Sequence, residues 1–217
     1  MNKQEITRNI KKLASTLGFE FTGVSNPLLF NNKNTNLDKW INDGNHATMQ
    51  WINTRKEERK DIFKYFPEIK SVISLGYNYF SKADIKNDTY KISNYAWGDD
   101  YHIIIKDKLN IIVDSLKKNN KSLKYRVCVD TSPLMEKVLA QKSGLGWIGK
   151  HTNLINNEIG SWFFISELLL NIDLKYDDPF IEDLCGTCTK CLDACPTDAL
   201  SDYILDSNKC ISYLTIE

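Results

Sequence analysis

Apolar residues recur at helical intervals from the start of the chain, where Ile6, Ile10, Leu13 and Leu17 share one face and lysine and arginine occupy the other. This spacing predicts an amphipathic helix, and Gly18 is placed to end it in a left-handed conformation. A short strand is expected over residues 19–24, followed by an Asn-rich polar loop and a helix carrying Leu37, Trp40 and Ile41. Residues 71–77 alternate and are β-branched enough for a buried strand. The helical period returns over residues 100–117 through Ile104, Leu109, Ile112 and Leu116. Residues 125–130 predict another strand. Ser132 and Pro133 then offer a helix start, a hydroxyl cap followed by a residue whose missing N–H is no loss there. Beyond Gly149, two apolar runs, 152–155 and 161–170, flank a turn with Asn156, Asn157 and Gly160 and read as a hairpin. Strands alternating with helices predict an α/β body with a mixed sheet and flanking helices over residues 1–177. The sequence Asp177, Asp178, Pro179 marks its boundary with a cysteine-rich segment, 178–217.

At 217 residues and 42% hydrophobic content, the chain can bury a sizeable core. Its 28 basic and 28 acidic residues cancel, so no overall field draws it to nucleic acid or membrane. An RNA contact must therefore rest on a local patch, for which the basic stretch from Lys117 to Arg126 is available. The amino terminus lacks the apolar core of a signal peptide, and no uncharged apolar run approaches ~20 residues. A cytoplasmic location with no membrane contact is expected.

Of six cysteines, Cys185, Cys188, Cys191, Cys195 and Cys210 fall together near the end, whereas Cys128 stands alone on a predicted strand as a small buried apolar residue. In a reducing compartment such a cluster signals metal binding and not disulfides. The first four, followed by Pro196, reproduce C-x2-C-x2-C-x3-C-P, the spacing that wraps 4Fe-4S clusters in bacterial ferredoxins. Cys185, Cys188 and Cys191 begin one cluster on a tight loop, and Cys195 with Cys210 begins a second. Structural zinc is the competing reading, but zinc modules space two knuckles far apart. Two cubanes require about eight thiolates; the segment has five, so a carboxy-terminal truncation is expected. A single cluster on the first four cysteines is the alternative.

The segment from Val129 to Thr152 places Asp130 at a strand end, then a helix, then a glycine-rich turn. Gly144, Gly146 and Gly149 spell G-x-G-x-x-G, but they follow a helix and no acid-terminated second strand comes after, which argues against a dinucleotide site. Gly144 is read as a helix cap. Gly146 and Gly149 are read as positions where the backbone approaches a bulky planar ligand.

These residues resemble the epoxyqueuosine reductases, a family similar to the cobalamin-dependent reductive dehalogenases. The resemblance spans essentially the whole chain. It is carried by WINTRKEERKD at 51–61, ISNYAWGDDYH at 92–102, VDTSPLMEKVLAQKSGLGWIGKHT at 129–152, CGTCTKCLDACPTDAL at 185–200 and KCISYLTIE at 209–217. The family often has arginine at the positions of Asn94 and Asp99, and it continues into a second cysteine run. The resemblance implies a cobalamin-binding α/β domain followed by a partial ferredoxin-like 4Fe-4S domain. It also implies reduction of the epoxide of epoxyqueuosine to queuosine at the tRNA wobble position, using cobalamin and two 4Fe-4S clusters. The partners it implies are a tRNA substrate and an external electron donor, and a monomer is expected. Asp130 becomes the candidate acid for the departing oxygen. Cobalamin contacts carry over to Arg55, Tyr95, Asp130, Lys150 and His151, beside Gly146 and Gly149. Each has a plainer reading: Arg55 on a solvated helix face, Tyr95 as a packed aromatic, Asp130 as a helix cap, His151 as hydrogen-bonded structure. His46 and His102 take the structural reading outright. Two other functions compete, a dehalogenase-like reductase of a small substrate and a non-catalytic electron-transfer module.

Overall fold

A computed structural model describes residues 2–30, 36–82 and 92–216. The Asn-rich stretch at 31–35 and Glu217 of the last family segment lie outside these residues. Helix α1 (Lys3–Thr16) begins at Asn2, whose side chain accepts the Glu5 N–H at 2.9 Å, and it buries Ile10 and Ala14. Gly18 follows with φ +90°, the left-handed exit that its lack of a side chain permits. Strand β1 (Phe21–Ser25) leads to α2 (Asn36–Asn42) and three short helices, α3 (Gln50–Thr54), α4 (Lys56–Lys60) and α5 (Ile62–Tyr65). Strand β2 (Ser71–Asn78) comes next, then α6 (Tyr101–Asn119), capped by Asp100 accepting the His102 N–H at 2.9 Å. The buried face of α6 is Ile105, Leu109, Ile112 and Val113, one residue round from the predicted stripe, so Ile104 and Leu116 are only half-buried.

The body is completed by β3 (Tyr125–Cys128), α7 (Glu136–Lys142), β4 (Trp147–Ile148), β5 (Leu154–Ile155) and β6 (Phe163–Leu170). The main sheet runs β1-β2-β6-β3. The α/β class holds, but all three pairings are antiparallel where a mixed sheet was expected. Alternation along β6 builds two layers of core. Leu168 and Leu170 join Ile10, Ala14, Ile105, Leu109 and Ile112 on the α1 and α6 side, whereas Leu169 joins Ile62, Phe66, Cys128 and Leu139 on the α5 and α7 side. Cys128 is fully buried there, and burial pushes its thiol up to about 12, consistent with a packing role.

Two local predictions are corrected. The run at 152–155 does not form a hairpin with 161–170. β5 pairs with β4, β6 inserts between β2 and β3, and only the Asn156–Gly160 bridge closes the turn between them. Ser132 does not cap α7, because residues 129–134 run through tight bends, with the Thr131 N–H on the Val129 carbonyl at 2.6 Å and the Leu134 N–H on the Ser132 carbonyl at 2.8 Å, and the helix starts after Met135.

The cysteine segment contains α8 (Lys190–Asp193), a hairpin of β7 (Leu200–Ser201) and β8 (Ile204–Leu205), and α9 (Ile211–Ile216). It is fastened to the body by Trp40 Nε1 donating to the Leu205 carbonyl at 2.6 Å, the Ser207 N–H on the Asn45 carbonyl at 2.9 Å and the Tyr203 N–H on the Lys150 carbonyl at 3.0 Å. Among the described residues, no helix is long and apolar enough to cross a membrane.

Candidate active site

Past the end of β3 the chain turns sharply. Asp130 sits in the left-handed region at φ +59°, a conformation costly for a side-chain-bearing residue, and its N–H donates to Glu136 Oε1 at 2.9 Å. The turn aims the Asp130 carboxylate at the start of α6, where the Tyr101 hydroxyl donates to Oδ2 at 2.8 Å. His102 Nε2 stands 3.7 Å from the same oxygen, while its Nδ1 lies 2.8 Å from Asp100 Oδ1. Burial and the Asp130 hydrogen bond both push the Tyr101 hydroxyl well above the ordinary tyrosine range, so it remains a donor at neutral pH.

A cavity of about 240 Å³ opens in front of this carboxylate, lined by Tyr79, Tyr95, Tyr101, Asp130, Glu136 and Phe164 among others. Its wall is aromatic. Tyr101 stacks on Phe164 with centroids 4.0 Å apart and planes at 7°, Tyr79 meets Phe164 at 4.7 Å, and Tyr95 approaches Tyr79 edge-on at 6.5 Å. The aromatic surface continues outward through Trp162 and Phe80, 5.2 Å apart and each about half exposed. Such a wall fits the face of a planar macrocycle. The cavity itself is smaller than the ~300–1,000 Å³ that encloses a drug-sized ligand.

Of the sequence-predicted contacts, Asp130 and Tyr95 line the cavity. His151 reaches the rim indirectly, since its Nδ1 accepts the Asn153 N–H at 3.3 Å and Asn153 Oδ1 accepts from Lys137 Nζ at 2.9 Å. Burial, then the neighbouring Lys137 charge, lowers the His151 pKa and favours the neutral ring. Lys150 faces the cysteine segment, with Nζ 3.3 Å from Asp202. Arg55 is held by both Glu58 oxygens, at 2.5 and 3.0 Å. The close approach that glycine allows at 146 is filled by the chain itself, because an added Cβ would lie 2.0 Å from the Ile155 carbonyl oxygen. At Gly149 it would meet the Ile155 side chain at 2.5 Å. Sequence reasoning missed Tyr101 and Glu136 and gave His102 only a structural role. For Tyr101 and His102 the signal was available in the Asp-Asp-Tyr-His run at a helix start, where first-turn side chains share the cap region.

In the cysteine segment, Cys185, Cys191, Cys195 and Cys210 are half-buried and Cys188 is exposed. The Cys188 N–H bonds the Cys185 carbonyl at 3.0 Å, closing the first loop, and Cys191 rides on α8. Cys195 Sγ accepts the Ala199 N–H at 3.4 Å, and backbone N–H groups of Thr197 and Ala199 lower its pKa toward the thiolate. That donor set suits an iron-sulfur cluster. Among the described residues no three His, Cys, Asp or Glu gather as a ready-made site for a single metal ion.

Two family models match the chain, "Epoxyqueuosine reductase QueG, DUF1730" over residues 59–131 and "4Fe-4S double cluster binding domain" over residues 184–217. An epoxyqueuosine reductase of Leadbetterella byssophila is 44% identical over 214 residues, covering 99% of this chain and 70% of the relative. The crystal structure of an epoxyqueuosine reductase with a tRNA-Tyr epoxyqueuosine-modified stem loop matches with a TM-score of 0.84 at 27% identity, over 99% of this chain and 58% of that one. A reductive dehalogenase, whose structure suggests a mechanism for B12-dependent dehalogenation, shares the fold at a TM-score of 0.64 and 17% identity, over 98% of this chain and 30% of its own. With the body and the cysteine segment each matched, and identity above two-fifths across nearly its whole length, the chain belongs to the epoxyqueuosine reductase family.

Proposed function

We propose that this chain supplies the substrate-facing body and the first cluster-binding segment of an enzyme that reduces epoxyqueuosine in tRNA to queuosine. The observation that carries the reading is the Tyr101–Asp130 hydrogen bond at the head of an aromatic cavity, in a chain 44% identical to an epoxyqueuosine reductase. Removing an epoxide oxygen to leave an alkene takes two electrons and two protons, and the oxygen departs as water. Cobalamin, when bound, would supply an electron-rich centre able to attack carbon. The Tyr79, Tyr95, Tyr101 and Phe164 wall would carry one edge of it, with residues 178–217 holding the 4Fe-4S thiolates at Cys185, Cys188, Cys191, Cys195 and Cys210.

Asp130 delivers the proton to the opening oxygen. Tyr101 fixes the carboxyl oxygen that it bonds, leaving the other to face the cavity, and the stacked Phe164 keeps that phenol from rotating. His102, tethered to Asp100, supplies a second polar group on the same oxygen. The reading takes residues 1–177 and 178–217 as two domains, the protein as a cytoplasmic monomer, and its electrons as coming from an external donor.

The test is Asp130→Asn in the cobalamin-loaded, cluster-containing enzyme assayed on epoxyqueuosine tRNA. Turnover should fall by about 10²–10⁴-fold, the usual worth of a positioned acid, while cobalamin binding persists. Unchanged turnover would remove Asp130 from the acid role, and reduction of an aryl halide in preference to the tRNA would favour the dehalogenase-like reading.

A further inference from the structure

Behind Asp130 lies a second pair of acids. Glu167 is fully buried in the middle of β6, and neither of its carboxyl oxygens has a hydrogen-bond partner. It shares strand parity with Leu169, whose side chain packs against Leu139 of α7, so Glu167 faces the same side of the sheet as α7. In the first turn of α7 stands Glu136, half-buried, lining the cavity and taking the Asp130 N–H on Oε1, which leaves Oε2 as the oxygen to carry a proton. An ionised, partnerless carboxylate at position 167 would forfeit its hydration with nothing in return, so Glu167 is a neutral acid. The charged groups around Glu136 are Asp130 from the turn after β3, Arg59 from α4, Lys137 from its own helix and Glu167 from β6. Cys128 of β3, opposite Glu167 in register, and Tyr101 of α6, whose hydroxyl feels Glu136, are further titratable neighbours.

We propose that Glu136, backed by the neutral acid Glu167, holds a proton in reserve at neutral pH and returns it to Asp130 between the two protonations of one turnover. This deepens, and rests on, the reading of Asp130 as the acid. The need is stoichiometric: deoxygenating the epoxide consumes two protons and one carboxyl carries one. In the recharging step an O–H bond of Glu136 breaks, an O–H bond forms on the Asp130 carboxylate, and no electrons move. Glu136, which lines the cavity, is then refilled from water. The electrostatics agree: burial, then the Asp130 charge, pushes Glu136 up to about 7, and burial, then Glu136, pushes Glu167 well above the ordinary range. Glu136 and Glu167 act through Asp130, so they are positioning and proton-supply groups and need not touch substrate.

Infrared difference spectroscopy on the purified chain, titrated across about pH 5 to 9, tests the reserve without turnover. The expected result is an un-ionised carboxylic-acid carbonyl band that persists at about pH 7 and disappears in Glu167→Gln, with a second band titrating near 7 that disappears in Glu136→Gln. Glu136→Gln keeps an oxygen for the Asp130 N–H, so it removes the proton and spares the turn. In the loaded enzyme it should slow turnover about tenfold at alkaline pH and much less at acid pH, where solvent recharges Asp130. No protonated-carboxyl band at neutral pH, or bands indifferent to both substitutions, would overturn the reserve. Asp130→Asn separates the two ideas, because full activity in that variant sinks the acid role while the bands stand, and inactivity with no bands sinks only the reserve. If Glu167→Gln fails to fold, the titration of the parent chain against Glu136→Gln still decides.

Discussion

Glu136 carries a stability signature that follows from its raised pKa. A carboxyl whose folded pKa is about 7, against an ordinary 4.5, binds its proton more tightly when folded. Its contribution is therefore complete below about 4.5 and is lost as pH climbs through about 7. Chemical unfolding of the parent chain should show falling stability across that window, and Glu136→Gln should flatten the fall; an identical slope in both would mean that Glu136 titrates normally. Glu167, raised by burial, has the same sign, and its lack of partners makes a second prediction. Glu167→Met, an apolar residue of similar length, should raise the unfolding free energy by about 1–3 kcal/mol, the usual cost of an unsatisfied buried polar group, at the expense of turnover. Asp130 was singled out by strand-end position and family motif together, and Tyr95 by the motif alone; both line the cavity. Arg55 and Lys150, expected as cobalamin contacts, do not line the cavity but pair with Glu58 and Asp202, and sequence spacing does not reveal those pairings. His102 was passed over because a lone histidine has no pattern, and its nearness to Asp130 depends on β3 and α6 meeting across 28 residues of chain separation.

At the level of elements, periodicity worked where one face is buried and failed where pairing is non-local. Helices α1 and α6 and strand β2 lie within a few residues of their predicted limits, since each displays a single apolar face to one layer of core. The hairpin failed because β6 is buried on both faces, and a strand of that kind records nothing about which neighbour it will pair with. The β4–β5 pair depends instead on Gly146. There φ is +153° and a methyl group would fall 2.0 Å from the Ile155 carbonyl oxygen, contact with backbone that cannot swing aside. Gly146→Ala should destabilise by about 2 kcal/mol or more and weaken any ligand bound near Asn153, as thermal melts would register. A melting temperature within experimental scatter of the parent would refute this.

Over the molecule as a whole, the balanced charge leaves local contacts to hold the chain together, and at the edge of the cysteine segment one carboxylate ties the boundary back to the body. Asp177 receives Lys11 Nζ on Oδ2 at 2.6 Å and, on the same oxygen, the Val24 N–H at 2.8 Å. Half-exposed ion pairs contribute little, so Asp177→Asn, which can still accept from Val24, should cost under about 1 kcal/mol, and Asp177→Ala about 1–2 kcal/mol. Equal losses in the two variants would contradict that ranking. The α/β character and the iron-sulfur segment were both readable from the chain, but this fastening was not, because Asp177 looked like part of a linker. A boundary drawn there by composition is mechanically a rivet. Loosening of the chain at residue 177 and fraying of the amino-terminal helix are thereby tied together, and the exchange rate of a single amide, that of Val24, would act as the gauge.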